Sequence, residues 1–292
     1  MTVIGPWDAV VVIAKAVTYA ATLSAAGGCA FLVYGGDVIP PDCGARIRRL
    51  LGALLVVGVL ASAVKLLALS ASMAGDASGL FDFALTGMVL QTGEGVASLM
   101  RLVGLGVLGV AVIAPRPAPV ATLVGALLAA TSFAWVGHVH ALERSWLWAT
   151  VLAIHLAGVA FWMGALTPLL LVARRVEAAV TAALASRFGS AALGLVGILV
   201  AAGATLLCAL LQNVAELRNS DYGRLALSKI ASVIALLALA ALNRQRLTPR
   251  MHARDVVAAR AFRRSVGFEI GLVLIILSLT AAMTTLTGPA VD

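Results

Sequence analysis

Charge is scarce in this sequence. Only 12% of its 292 residues are Asp, Glu, Lys or Arg, while 62% are hydrophobic and the mean hydropathy is +1.05. That balance excludes a water-soluble globular domain, whose apolar share is nearer half. Cysteine is nearly absent. Cys29, Cys43 and Cys208 have no CxxC or zinc-type spacing, so neither a disulfide framework nor thiol redox chemistry is expected. The chain also has no GxxxxGK[ST] phosphate loop and no connector long enough to fold as a nucleotide domain, which excludes ATP hydrolysis within it. No Lys or Arg precedes Lys15, so the charged start of a signal peptide is missing and the first apolar run is expected to remain as a helix. The net charge of +8 comes from arginines spread among short connectors, which argues against a nucleic-acid surface.

What fills the chain instead is a series of continuous apolar runs, which fit helices and not the alternating strands of a barrel. The expected fold is all-α: a polytopic membrane protein, one domain over residues 1–292. Its eight transmembrane helices are expected over about 8–34, 50–73, 95–114, 119–140, 146–172, 188–213, 222–243 and 265–287, with an interfacial or re-entrant segment over about 79–91. Lys and Arg concentrate in the connectors after the first, third, fifth and seventh helices. The positive-inside bias puts those connectors in the cytoplasm and both termini on the external, periplasmic side. The Arg-rich connector from Arg244 to Arg264 is expected to meet anionic lipid headgroups.

Three of the four histidines, His138, His140 and His155, flank the one short turn Glu143-Arg144-Ser145, which then faces outward. Nitrogen ligands held at membrane depth are a site hypothesis by default. From the helical rise, His138 lies roughly 9 Å and His155 roughly 16 Å from the turn, an offset that two imidazoles can span. Gly137 can let the helix end unwind and narrow it. Imidazole suits copper, zinc, iron and nickel, and copper binds most tightly among the divalent ions. Met73, Met88, Met100 and Met283 fall in or near the same half, where thioethers favour Cu(I), although methionine is more often core filler. Glu94, Arg101, Lys65 and Lys229 are expected to form a polar interior, the first three as a charge group. Residue spacing alone leaves three readings open: a metal transporter, a copper sensor or docking platform that moves no ion, and a b-type cytochrome with haem between two histidines.

Four stretches carry a resemblance: GHVHA, IHLAGVAFWMGAL, YGRLALSKIASVIALLALAALNRQRLTPR and RRSVGFEIGLVLIILSLTAAMTTLTGPA, with TGEGVASLMR adding to them. In that order, on those helices, they are similar to the copper resistance protein D (CopD) family of bacterial inner-membrane proteins, most closely from about Thr131 to Pro289. The resemblance implies an eight-helix, non-enzymatic protein that handles a copper ion, Cu(I) or Cu(II). It implies movement of copper from the periplasm toward the cytoplasm, often with a periplasmic CopC-like copper-binding partner. The histidines of its motifs are His138 and His155. His140 is outside that pattern.

Overall fold

The computed structural model describes residues 5–114, 117–211 and 215–287, and among these every regular element is helical. The first helix, α1 (Pro6–Gly35), starts where Asp8 Oδ2 accepts from the Gly5 backbone N–H at 3.0 Å. Helix α2 (Pro41–Ala74) returns beside it, and Ser72 Oγ donates to Asp8 Oδ1 at 2.6 Å. Its start lies well before the expected residue 50. Pro41 occupies the first turn, where its missing N–H has no partner to lose, and Asp42 complements the positive helix end. Arg46, Arg48 and Arg49 therefore lie on the helix and not in a loop.

The segment expected near the interface is two short pieces, a 3-10 turn at Ala77–Phe81 and α3 (Phe83–Leu90), capped by the side chains of Asp76 and Asp82. Helix α4 (Gly93–Ile113) follows, and Arg48 reaches across to the carbonyls of Ala111 and Ala114 at its end. The largest departure comes next. Helix α5 (Pro119–Thr131) was expected to run to His140, but gives way to a 3-10 turn at Ser132–Trp135 and extended backbone at Val136. Ser132 Oγ bonds back to the Ala129 carbonyl at 2.8 Å, competing with the helical ladder. Gly137, at φ 108°, then redirects the chain through a conformation that side chains disfavour.

Helices α6 (Ser145–Ala173) and α7 (Ala178–Leu210) are followed by the single turn α8 (Glu216–Asn219) and by α9 (Asp221–Leu242). A π-helical turn at Asn243–Leu247 carries α9 without a break into α10 (Thr248–His252), and α11 (Val256–Leu286) closes the bundle. Helices α7 and α11 begin well before the expected residues 188 and 265. Hydropathy marks the membrane-buried part of a helix, whereas these helices extend beyond it through polar turns. The Arg-rich connector is consequently helical except around residues 253–255. The expected endpoints Asn213 and Pro289 lie outside the described residues. Among those described, seven helices are long and apolar enough to cross a membrane, and Pro119–Trp135 is a shorter apolar eighth. The protein is an all-α, multi-pass membrane protein.

Helix α1 is the centre, packed against α2, α4, α5, α6, α7 and α11. It meets α6 most closely where Gly27 and Gly28 face Ala160 and Gly164, so that a Cβ on Gly27 would lie 1.7 Å from the Ala160 carbonyl oxygen. Small residues allow that approach, and in lipid close packing takes the place of the hydrophobic effect. At one end of the bundle the starts of α1 and α9 meet the ends of α2, α7 and α11. We call this the terminal end. The opposite, arginine-rich end holds α7 to α1 through the Arg187–Asp37 ion pair and through Phe31, Phe161 and Phe188.

Candidate functional site

The break after α5 decides where two histidines go. Residues His138–Ala141 form a 3-10 turn of their own, so His138 and His140 sit on a loop and not on the expected helix. His140 is exposed, and its Nε2 lies 2.9 Å from the Ala134 carbonyl. A carbonyl accepts only, so Nε2 carries the proton there and turns the ring back on its own loop. His138 differs. Its Nε2 is shut off from solvent and has no hydrogen-bond partner among the described residues. The ring stands edge-on to Tyr222, with centroids 6.3 Å apart.

Tyr222 belongs to the first turn of α9, fixed by Ser220, whose hydroxyl accepts from the Gly223 N–H at 2.9 Å. It is buried in a small cluster with Ala226 and Met283, walled by Leu207 of α7 and Leu211 just past its end. Met283, near the end of α11, therefore comes into the neighbourhood of His138. A phenol, a thioether and an unpartnered imidazole nitrogen share one corner of the terminal end.

His155 lies deeper on α6 and faces α7. Its Nδ1 donates to the Leu199 carbonyl at 3.1 Å, and the ring rests on Gly203, where a Cβ would lie 3.1 Å from Cε1. With Nδ1 protonated, the neutral ring presents Nε2 as its lone-pair nitrogen, the arrangement by which a backbone carbonyl orients a ligand histidine. Lys229 of α9 is close enough for its charge to act on this ring. Gly203 and Leu207 are one turn apart on α7, so the His155 site lies about one turn below the Tyr222 corner.

The expected convergence of three imidazoles is not formed. Among the described residues no three of His, Cys, Asp and Glu gather as a metal site. His140 is tied to Ala134, His155 faces α7 at Leu199 and Gly203, and His138 meets Tyr222 of α9 instead. The other methionines are elsewhere: Met73 and Met88 are exposed, on α2 and α3, and Met100 is half-buried on α4. Cys29 and Cys43 are buried free thiols, and Cys208 is an exposed one.

A second polar group lies on the α1, α2 and α4 side of the same end. Lys65 and Glu94 form an ion pair, and Ser98 donates to the same carboxylate at 3.3 Å. Arg101 is fully buried, donates to Ser62 at 3.5 Å and stacks over Phe133 at 4.3 Å. Lys15 donates to the Thr284 carbonyl at 3.1 Å and to Thr285 Oγ1 at 3.3 Å, which links this group to the end of α11 beside Met283. Sequence reasoning missed Tyr222. An aromatic in the first turn of a helix after a Ser cap was visible, but nothing in the sequence told which histidine it would meet.

Comparison with known proteins adds to this geometry. Residues 6–146 match the family described as copper resistance protein D-like, N-terminal domain, and residues 182–283 match copper resistance protein D. His138 falls within the first match, Tyr222 and Met283 within the second, and His155 between them. The chain is 30% identical over 272 residues to copper resistance protein D of Pseudomonas syringae pv. tomato, covering 86% of each chain. No solved structure matches it. Over that breadth of similarity, the chain belongs to the copper resistance protein D family, and its role in the membrane is a copper-related one.

Proposed function

We propose that this protein takes up copper at the terminal end of the bundle through His138 and moves it, by way of His155, toward the arginine-rich end. The observation that carries the reading is the His138 Nε2: enclosed, unpartnered, and set beside Tyr222 and Met283. A buried polar nitrogen left without a partner costs about 1–3 kcal/mol, a cost that a ligand lifts. Imidazole and thioether together suit copper better than hard ions, and Met283 favours Cu(I). The arginine bias supports a periplasmic terminal end with both chain termini outside, and kinship with copper resistance protein D supports the bacterial inner membrane. A small periplasmic CopC-like protein is the fitting donor. The protein is a carrier and not an enzyme, and with no phosphate loop in the chain any flux is downhill, coupled to an ion gradient or driven by hand-over between partners.

Copper content of the purified protein, measured by elemental analysis after growth in copper, tests this. His138→Ala and His155→Ala are each expected to lower bound copper while the helical circular dichroism stays unchanged, because each removes the imidazole at one place along the path. Full copper in both variants overturns the assignment. A Soret band in the wild-type spectrum, reduced by dithionite, replaces it with the haem reading.

A further inference from the structure

The helices that frame the His155 site hold an acid at their other end that the copper reading does not use. Glu269 of α11 is 3% exposed. By helical rise it lies about 26 Å from the Leu286 end of its helix, well toward the arginine-rich side. Its Oε1 accepts from the Asn243 side-chain amide, and the Trp162 indole of α6 lies near enough to act on the carboxylate. Trp162 is two turns beyond His155 on the same face of α6, so one stripe of α6 touches both places.

Three features set this group apart from ordinary structural glue. First, the acid has no cation: no ion pair reaches Glu269 among the described residues, and no charged side chain bears on it. The arginines of the adjoining segments are turned elsewhere, Arg244 to the Gly189 carbonyl and Arg263 to the Ala173 carbonyl, while Arg246, Arg260 and Arg264 are exposed. Second, two buried acceptors beside it have no partner among the described residues, Asn243 Oδ1 and the hydroxyl of Ser265, one turn before Glu269 on the same helix face. Third, Asn243 opens the π-helical turn, closed by the Thr248 N–H on the Asn243 carbonyl. Such turns are rare and occur mostly at functional sites.

We propose that Glu269, with Asn243, Ser265 and Trp162, is an intramembrane proton-binding site, and that copper movement through the protein is linked to it. A lone carboxylate in so apolar a setting is neutralised by an ion, and the donor set selects which one. Copper, a soft ion, prefers sulfur and nitrogen, which this group lacks. Hard metal cations take roughly six oxygens, more than these three side chains supply. A proton needs only one. The carboxylate takes it from the arginine-rich side, and the O–H formed donates to Asn243 Oδ1 or Ser265 Oγ, the two acceptors now without a donor. Release of the proton restores the carboxylate held by Asn243. The link to copper rests on the transport reading above, whereas the proton site does not.

Infrared difference spectra across a pH step, on protein in lipid vesicles, test the site alone. Wild type is expected to show a protonated-carboxyl stretch that grows as pH falls, Glu269→Gln to lose it, and Trp162→Phe, which removes the indole N–H near the carboxyl, to shift it. A stretch retained in Glu269→Gln, or absent from wild type at every pH, overturns the site. A stretch whose pH of appearance moves when sodium replaces choline overturns the proton in favour of a cation. In vesicles with a trapped pH dye, copper is expected to move protons in wild type and not in Glu269→Gln, and full proton movement in that variant overturns the link. His138→Ala keeps the infrared stretch and loses the copper-driven signal, which separates failure of the transport reading from failure of the proton site.

Discussion

Valine at Gly27 is expected to cost about 3 kcal/mol or more of stability, enough to remove most folded protein. A Cβ there would lie 1.7 Å from the Ala160 carbonyl oxygen, 2.5 Å from its carbon and 3.0 Å from the Gly164 Cα. All three atoms are α6 backbone, so no rotamer change relieves the overlap and the two helices must separate. Gly164 is constrained from the other side, since a Cβ on it would meet the Gly27 carbonyl carbon at 2.3 Å. In lipid, helix association depends on close contact, and separating the central helix from α6 forfeits it along the whole crossing. The measurement is the thermal unfolding midpoint in detergent for Gly27→Val and Gly164→Val, beside Gly106→Ala and Gly109→Ala as controls. Those two α4 glycines have nothing within 4 Å of an added Cβ and are expected to behave as wild type. Equal midpoints in all four variants would show that the α1–α6 crossing is looser than the structure has it. The effect extends to function, because α6 carries both His155 and Trp162.

Much of the fold is legible in the sequence because hydropathy has a direct physical meaning. Each run of apolar residues long enough to span hydrocarbon must satisfy its own backbone, and a helix does so. What hydropathy does not report is the helix beyond the membrane. Residues 41–49, 178–187 and 256–264 are polar or mixed, yet helical, and their starts are set by Pro41 and by the Asp255 side chain on the N–H groups of Val257 and Ala258. Loss of helix near His138 was the opposite problem. The apolar run continues to Val136, but Ser132 bonding back to Ala129 and the positive φ of Gly137 end the ladder within it.

The site was legible in part. Three histidines near one turn are visible from spacing, whereas the fate of each ring depends on distant backbone. His155 is oriented by a carbonyl 44 residues away on α7, and His138 meets a tyrosine from the start of α9. Of the methionines considered, only Met283 shares a cluster with that tyrosine, a grouping that requires the ends of α7 and α11 to meet. The Glu269 group was hidden for a similar reason. Asn243 closes an apolar run and Trp162 sits in another, and neither has chemistry until three helices bring them to one carboxylate.

Glu94→Gln is expected to be the most damaging single polar change, destabilising the protein by about 3–5 kcal/mol, the range for a buried charge stripped of its partner. The carboxylate of Glu94 serves Lys65, which is 2% exposed, in a group that also holds Lys15 and the fully buried Arg101. Glutamine keeps the shape and the bond from Ser98 but leaves three cations facing one another in an apolar surrounding. Methionine at Lys65 fills similar volume without a charge, so Glu94→Gln combined with Lys65→Met is expected to recover most of the loss, since replacing both partners avoids the stranded charge. Unfolding midpoints of the two single variants and the double variant decide the matter. If the double variant is no better than Glu94→Gln, the carboxylate acts chiefly on Arg101 or Lys15 and the pair with Lys65 is incidental. The copper site provides a second readout. Lys15 holds the carbonyl of Thr284, the residue next to Met283, so relaxation of this cluster passes along the end of α11 to the corner where His138 meets Tyr222. Copper content is therefore expected to fall in Glu94→Gln and to return in the double variant, although neither residue touches the histidines.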